Sequence, residues 1–310
     1  MGKYIAKRLL MMIPVLLGVV FLIFFILNLT PSNPGAVILG TDASAEDIAA
    51  YNAMLGADKP FLIRYCLYVV NMCKGDLGIS YAYLQPVWDV IDDKILPSMF
   101  LSFSAMLVAT ILGVIVGVAS AVKQYSALDK GATFFALLLA ATPSFWLSMM
   151  GIFVFALKLG WFPAFGNETA YHFVLPALTL GIPYAAHTLR YTRSSMLDCI
   201  RQDYVDTAKA KGVPKSRVIW KHAFNNAVLP VITSVGTSFG ALVGGAMVTE
   251  QLYGMAGLGT FLSASIKTRD VPAVCGTVVV IAIIFSLVML GVDLLHAKID
   301  PRIRARYSKG

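Results

Sequence analysis

Five apolar runs of about 20 or more residues, none interrupted by a charged side chain, constrain this chain more than any other feature. They are Leu9–Leu29, Phe100–Val122, Gly131–Leu157, Ala227–Thr249 and Val271–Val292. A helix of about 20 apolar residues crosses the roughly 30 Å hydrocarbon core of a bilayer. It also satisfies its own backbone hydrogen bonds, which lipid cannot do. A sixth stretch, Phe173–Met196, is weaker: its apolar core ends at Leu189, and Arg190 and Arg193 are expected to snorkel to the interface. The expected fold class is an all-α integral membrane protein with about six transmembrane helices. Composition agrees, with 58% hydrophobic residues, 14% charged residues and a mean hydropathy of +0.74. Soluble domains carry about 25% charged residues, so too little polar surface is present here to wet a globule. The first run is too long for the apolar region of a signal peptide, about 7–15 residues, and no small-residue cleavage site follows it. It is expected to remain as a membrane helix.

Basic residues orient the spans. With the N-terminus inside, cytoplasmic segments hold Lys3, Lys7 and Arg8, then Lys123 and Lys130, then a run from Arg190 to Lys221, and finally Lys298, Arg302, Arg304, Arg306 and Lys309. Outside, Lys59, Arg64, Lys74 and Lys94 share one long loop, where basic residues count little. Both termini are therefore expected in the cytoplasm. The net charge of +8 reflects these loops rather than a nucleic-acid surface. Cys66 and Cys73 lie seven residues apart. On a helix that separates their Cα atoms by roughly 10 Å, beyond disulfide reach. Cys199 and Cys275 fall near or within apolar spans, so neither a disulfide framework nor a metal site is expected.

Two hydrophilic segments remain. The outer one, about residues 30–99, carries short amphipathic helices. Ser44 with Asp47 forms a capping-box pattern that Gly56 closes. Pro60 precedes Phe61, Arg64, Tyr65 and Tyr68 at helical spacing, with Gly75 as the stop. Pro86 opens another helix with Val87, Val90, Ile91 and Ile95 on one face. Such a segment suits a cap on the membrane domain, a docking surface for an outside partner, or both. The inner segment, about residues 197–226, predicts a helix over Tyr204–Lys211, a turn at Gly212, and a second helix from Pro214 that runs into the membrane at Ala227. Asp203 and Asp206 in the first turns and Lys209 and Lys211 near the end complement the helix dipole. The bland reading of this segment is a solvated basic loop.

Several chemistries find no support. There is no phosphate-binding G-x-x-x-x-G-K-[ST] loop and no H-E-x-x-H, and none of the four histidines (His172, His187, His222, His296) is read as pairing with a carboxylate. Gly236-Thr237-Ser238-Phe239-Gly240 matches the hydrolase pattern G-x-S-x-G but sits inside an expected membrane helix with no preceding strand. An intramembrane protease would have only His187 to pair with Ser238. Packing explains the pattern better: Gly236, Gly240 and Gly244 recur every fourth residue, as do Gly113 and Gly117, and small faces let helices approach closely in lipid. Glu250 and Asp293 are the acids nearest the lipid core and are expected to reach the interface at the helix ends. A channel or secondary transporter would more often place ionisable groups at mid-membrane, which five of the spans lack.

The inner segment carries a resemblance. Asp203-Tyr204-Val205-Asp206-Thr207-Ala208-Lys209-Ala210-Lys211-Gly212, followed by His222-Ala223-Phe224-Asn225-Asn226-Ala227-Val228-Leu229-Pro230, resembles the EAA loop of permeases of binding-protein-dependent ABC importers. Asp206, Thr207, Ala208 and Gly212 stand at the E-A-A-x-x-x-G positions, with Asp-Thr replacing Glu-Ala as in the peptide and nickel branch. Further similar stretches are Lys3-Tyr4-Ile5 through Ile13-Pro14-Val15, Gly75-Asp76-Leu77-Gly78, Gly244-Gly245-Ala246 with Glu250, Gly257-Leu258-Gly259, Arg269-Asp270-Val271-Pro272 and Asp300-Pro301-Arg302-Ile303-Arg304. Met255-Ala256 departs where that branch usually has a proline. The resemblance covers the whole chain and is to B-type permeases of oligopeptide or dipeptide importers, with nickel, glutathione or another small solute as the alternative cargo.

That resemblance implies a type I ABC importer permease fold in a prokaryotic inner membrane. It implies pairing with a second homologous permease, two ATPase subunits that bind ATP and Mg, and an outside substrate-binding protein. It implies no catalytic residue and no cofactor in this chain. The coupling residues would be Asp203, Tyr204, Asp206, Thr207, Ala208, Lys209, Lys211 and Gly212. The expected organisation is a first helix at 1–30, an outer loop at 31–99, a five-helix core at 100–296 that includes the coupling loop 197–226, and a cytoplasmic tail at 297–310.

Overall fold

The structure, a computed structural model, describes residues 2–29, 33–40, 43–54, 56 and 58–299. The tail from Asp300 onward, including the family-like Asp300-Pro301-Arg302-Ile303-Arg304, lies outside the described residues. In chain order the helices are α1 (Gly2–Asn28), α2 (Pro34–Leu39), α3 (Ala45–Met54), α4 (Phe61–Cys73), α5 (Val87–Val122), α6 (Ala127–Ala141) and α7 (Ser144–Gly151). Then follow α8 (Val174–Ile200), α9 (Asp203–Ala210), α10 (Lys215–Arg217), α11 (Phe224–Gly245), α12 (Met247–Leu252), α13 (Leu258–Lys267) and α14 (Val271–Ile299). π-Helical turns extend α7 over Ile152–Lys158 and join α10 to α11 over Val218–Ala223. Among the described residues the only strand-like pairing is the isolated bridge between Ile79 and Pro86.

By length and composition, Ile5–Leu27, Val87–Val122, Lys215–Gly244 and Val271–His296 are able to cross a membrane. Two expectations are corrected, and the weakness of the fourth span finds its reason. The span expected over Gly131–Leu157 is broken: α6 and α7 meet at a bend of 99°. Pro143 causes it, since it lacks an N–H and pushes the preceding residue out of the helical region; Thr142 is extended, at φ −81° and ψ 127°. The fourth helix is present as α8 but is not apolar enough to count alone. Small and polar residues such as Gly181, Thr188 and Thr192 fill its buried face, because that face meets protein rather than lipid. Finally, the amphipathic helix from Pro86 and the span from Phe100 are one helix, α5. Pro97 lies inside it, held by packed residues on both sides: Val90 and Ile91 before, Leu101 and Ala105 after.

The chain divides into two compact units. The first comprises Gly2–Ser98 and Ala256–Ser286. This division differs from the expected organisation, which placed 256–286 with the core. The reason is in the packing: Leu77, Val87 and Ile91 share a buried cluster with Leu258, Phe261 and Ala273. Buried Asp270 accepts hydrogen bonds from Ser80 Oγ at 2.5 Å and Ala82 N at 3.1 Å, and caps α14 by accepting from Ala273 N at 3.1 Å. The short outer helices form where their capping patterns place them. Ser44 Oγ accepts from Asp47 N at 3.0 Å, and Gly56 and Gly75 adopt positive φ. Aromatic edges of Phe61 and Tyr65 on α4 pack against Phe21 of α1.

The second unit comprises Met99–Met255 with residues 287–299. Helix α8 runs through its middle, against α6, α7 and α11. It meets α5 at glycine. A Cβ on Gly113 would stand 2.6 Å from Thr188 Cβ and 2.8 Å from the Ala185 carbonyl. One on Gly117 would stand 2.7 Å from Thr192 Cβ, and one on Gly181 2.5 Å from the Ala105 carbonyl. On α11, Gly236 packs onto Val292 of α14 and Gly240 is buried. Gly244 differs: it is exposed with nothing within 4 Å, so it packs against none of the described residues.

Candidate coupling site

The sequence from Asp203 to Ala227 folds as a helical hairpin on the second unit. Gln202 is extended, and α9 starts at Asp203 with Asp203 and Asp206 in its first turn and Lys209 in its last. Its end is a complete Schellman turn: Gly212 N donates to the Lys209 carbonyl at 2.9 Å and Val213 N to the Ala208 carbonyl at 3.2 Å. That geometry requires a left-handed residue, and Gly212 supplies it with φ +76°. Val213 then packs beside Ala208, the apolar contact that accompanies this cap. The chain re-enters a helix at Lys215, and α10, the π-turn and α11 carry it on without a break to Gly244.

The two faces of α9 have different jobs. Val205 and Ala208, three residues apart, are buried with Val118, Met196, Val218, Ala223 and Ala227. Asp203, Tyr204, Asp206, Thr207, Lys209, Lys211 and Gly212 are exposed. Ala208 thus leaves the expected contact surface and serves as an anchor, because it sits on the inward helical stripe. Within the exposed face, Lys209 Nζ meets Asp206 Oδ1 at 2.8 Å, and Thr207 Oγ1 donates to the Asp203 carbonyl at 2.9 Å. Tyr204 spans both roles. It is 40% exposed, and its hydroxyl lies near the side chains of Asn226 on α11 and Cys199 on α8. Burial is the main cause that raises the phenol above its ordinary value, so Tyr204 stays neutral. Below it, Ser195 Oγ donates to the Ala227 carbonyl at 2.9 Å and fastens α8 to α11.

A second anchor lay outside the reach of sequence reading. Asp129, 3% exposed, receives Arg193 Nε at 2.6 Å and Nη2 at 2.8 Å. It also accepts from Ser120 Oγ and from Tyr125 N at 2.8 Å. Arg193 therefore does not snorkel to the interface as expected; a fork-shaped guanidinium is satisfied by a carboxylate on α6 instead. Glu250 and Asp293 are corrected likewise, being buried at 1% and 8% exposure. For Glu250 the reason is that α11 stops at Gly245. The acid then rides on the separate helix α12, which packs on α7 and α8.

Ser238 lies half-buried in mid-α11, on a helix and not on a strand-to-helix elbow. The four cysteines are free thiols. His172 does pair with a carboxylate, Glu168 at 3.0 Å, but among the described residues no three His, Cys, Asp or Glu side chains converge as metal ligands.

The family model for the binding-protein-dependent transport system inner membrane component matches residues 109–305, and its N-terminal companion matches residues 1–102. The dipeptide transport system permease protein DppB of Alkalihalophilus pseudofirmus is 39% identical, over 98% of this chain and 100% of the relative. The glutathione transport system permease protein GsiC of Salmonella choleraesuis is 38% identical, and that of Escherichia coli K12 is 37% identical, each over 98% of this chain and 99% of the relative. In fold, the MetNI methionine ABC transporter in an inward-facing conformation matches at TM-score 0.58 and 15% identity, over 68% of this chain and 96% of that one. An amino acid ABC transporter matches at TM-score 0.54 and 12% identity, over 68% and 94%. These matches run through the hairpin and the glycine-packed helices alike, and the chain belongs to the binding-protein-dependent transport system inner membrane component family, as a multi-pass inner-membrane permease of a prokaryotic ABC importer.

Proposed function

We propose that this chain forms half of the pathway of an ATP-driven peptide importer, paired with a second homologous permease. Two ATPase subunits that bind ATP and Mg stand below it, and an outside binding protein delivers the cargo. The observation that carries the reading is the two-faced α9. Its inner stripe is locked to α8 and α11, while its charged face, Asp203, Asp206, Lys209 and Lys211, makes no ion pair among the described residues beyond Asp206–Lys209. A face so built fits the groove of a separate ATPase, and closure of the ATPases would move α8 and α11 through their anchors. Peptide cargo is supported by relatives named for dipeptide and for glutathione, itself a small peptide. The nearly equal identities keep glutathione as a specific second reading.

The test is affinity purification of the tagged chain from native membranes, then uptake by the reconstituted complex. Recovery of a second permease and ATPase chains, with ATP-dependent uptake of a dipeptide, supports the proposal. Competition of that uptake by glutathione decides between the two cargos. Recovery of the chain alone in gentle detergent would overturn the importer assembly.

A further inference from the structure

Helices α6 and α8 lie side by side and show opposite kinds of surface. Helix α6 turns Phe134, Phe135, Leu137 and Leu138 outward, each more than half exposed, which is what acyl chains accept. Between Leu175 and Leu197 the exposed residues of α8 are His187, Arg190, Tyr191 and Ser194; Asp198 is exposed one turn beyond Ser194. With Thr133 of α6 and the edge of Arg193 they line an open groove of about 470 Å³. Charged side chains on membrane helices face a bundle interior or a water-filled cavity, not lipid.

Depth and availability sharpen the case. Arg193 is fixed at the start of α6 by Asp129. From there to His187 the polar stripe runs about 9 Å along the helix, longer than the roughly 5–8 Å of a single headgroup layer. The two arginines also differ. Arg193 is consumed by its carboxylate, whereas Arg190 makes no hydrogen bond or ion pair among the described residues. A planar guanidinium facing water is matched to a carboxylate through two parallel hydrogen bonds.

We propose that this face of α8 is a wall of the water-filled transport pathway and that Arg190 receives the carboxylate of the passing cargo, with His187, Tyr191 and Ser194 as neighbouring polar contacts. The cargo half rests on the importer reading above; exposure of the groove to water does not.

The experiment uses the whole complex in lipid vesicles, with the four native cysteines replaced and Ser194→Cys introduced. Anionic and cationic methanethiosulfonates are compared, each relative to a free thiol. With Asp198 also changed to Asn, so that its opposite charge one turn from Ser194 is removed, Ser194→Cys reacts with both and favours the anionic reagent about tenfold, as one nearby unit charge would cause at an effective dielectric between those of protein and water. Arg190→Gln removes that preference, and Leu138→Cys in the same complex stays unreactive. An unreactive Ser194→Cys, a preference that survives Arg190→Gln, or protection by added phosphatidylglycerol would overturn the pathway wall; the last would assign the groove to lipid. In the same vesicles, uptake of radiolabelled dialanine falls about tenfold in Arg190→Gln, the scale of one lost charge-assisted hydrogen bond, and Arg190→Lys restores much of it. An unchanged rate in Arg190→Gln overturns the carboxylate assignment. Wild-type vesicles that take up no peptide remove the importer reading, and the thiol reaction, which needs no cargo, then decides the groove by itself.

Discussion

Gly212 is the residue on which the hairpin turns. A Cβ there would touch nothing within 4 Å, so the whole demand on the position is conformational. A side chain held at φ +76° costs about 1–2 kcal/mol, and a β-branched one stands at the upper end. Gly212→Val is expected to insert normally but to lower peptide uptake per ATP hydrolysed, while Gly212→Asn does less harm because Asn tolerates the left-handed region. Unchanged uptake and unchanged peptide-stimulated hydrolysis in Gly212→Val would sink this account. Asp129 makes the contrasting case, in which contacts decide everything. Removing it leaves Arg193, whose side chain is a quarter exposed, without its carboxylate, and leaves Ser120 and Tyr125 N without their acceptor, a loss of about 1–3 kcal/mol. Asp129→Ala should lower the thermal midpoint in detergent by several degrees, and Asp129→Leu combined with Arg193→Met should recover most of that loss. If the double variant is no more stable than Asp129→Ala, the stranded charge is not the cause.

Among the elements, α5 and α8 test how closely two helices approach. At Gly113 a methyl group would overlap both Thr188 Cβ and the Ala185 carbonyl. Gly113→Ala is therefore expected to reduce the yield of folded chain in size-exclusion profiles, and Thr188→Gly, which removes the clashing Cβ, to rescue it only partly, since a backbone oxygen cannot give way. Full rescue would mean the side chain alone sets the spacing. This contact shows what was legible beforehand. Glycine repeats, apolar run lengths and the α9 cap are local patterns with physical periods, and the structure places α1, α5, α9, α11 and α14 near where theirs stand, while the run Gly131–Leu157 is bent and Gly244 packs on none of the described residues. The prolines show the limit. Pro97 and Pro143 carry the same chemistry, yet one lies within a continuous helix and the other makes a 99° bend. Which happens depends on partners distant in sequence. Asp129 and Arg193 are 64 residues apart, and the approach of Tyr204 to Asn226 and Cys199 arises only once three helices meet. Each such group looked like an ordinary charged or aromatic residue at the edge of a span.

At the scale of the whole molecule, stability and coupling are separable, because they reside on opposite faces of α9. Its inner stripe contributes to the fold: Val205, 1% exposed, sits among apolar neighbours. Placing a carboxylate there should destabilise the hairpin and the chain together. The outer face contributes little to folding. Its Asp206–Lys209 pair is more than half exposed on both sides, and exposed pairs of this kind add about 0–1 kcal/mol. Reversing the charge of Asp203 and Asp206 to Lys should therefore leave the thermal midpoint of the isolated chain nearly where it was. If that face is read by an ATPase groove of complementary charge, the same change should cut recovery of ATPase chains with the tagged permease about tenfold, and more steeply at low ionic strength, where screening is weakest. Measured side by side, the two quantities distinguish a coupling surface from a structural one. Equal losses in stability and in ATPase recovery would make the charged face part of the fold. No loss in either would leave α9 a solvated basic loop and move the search for the ATPase contact elsewhere on the cytoplasmic side.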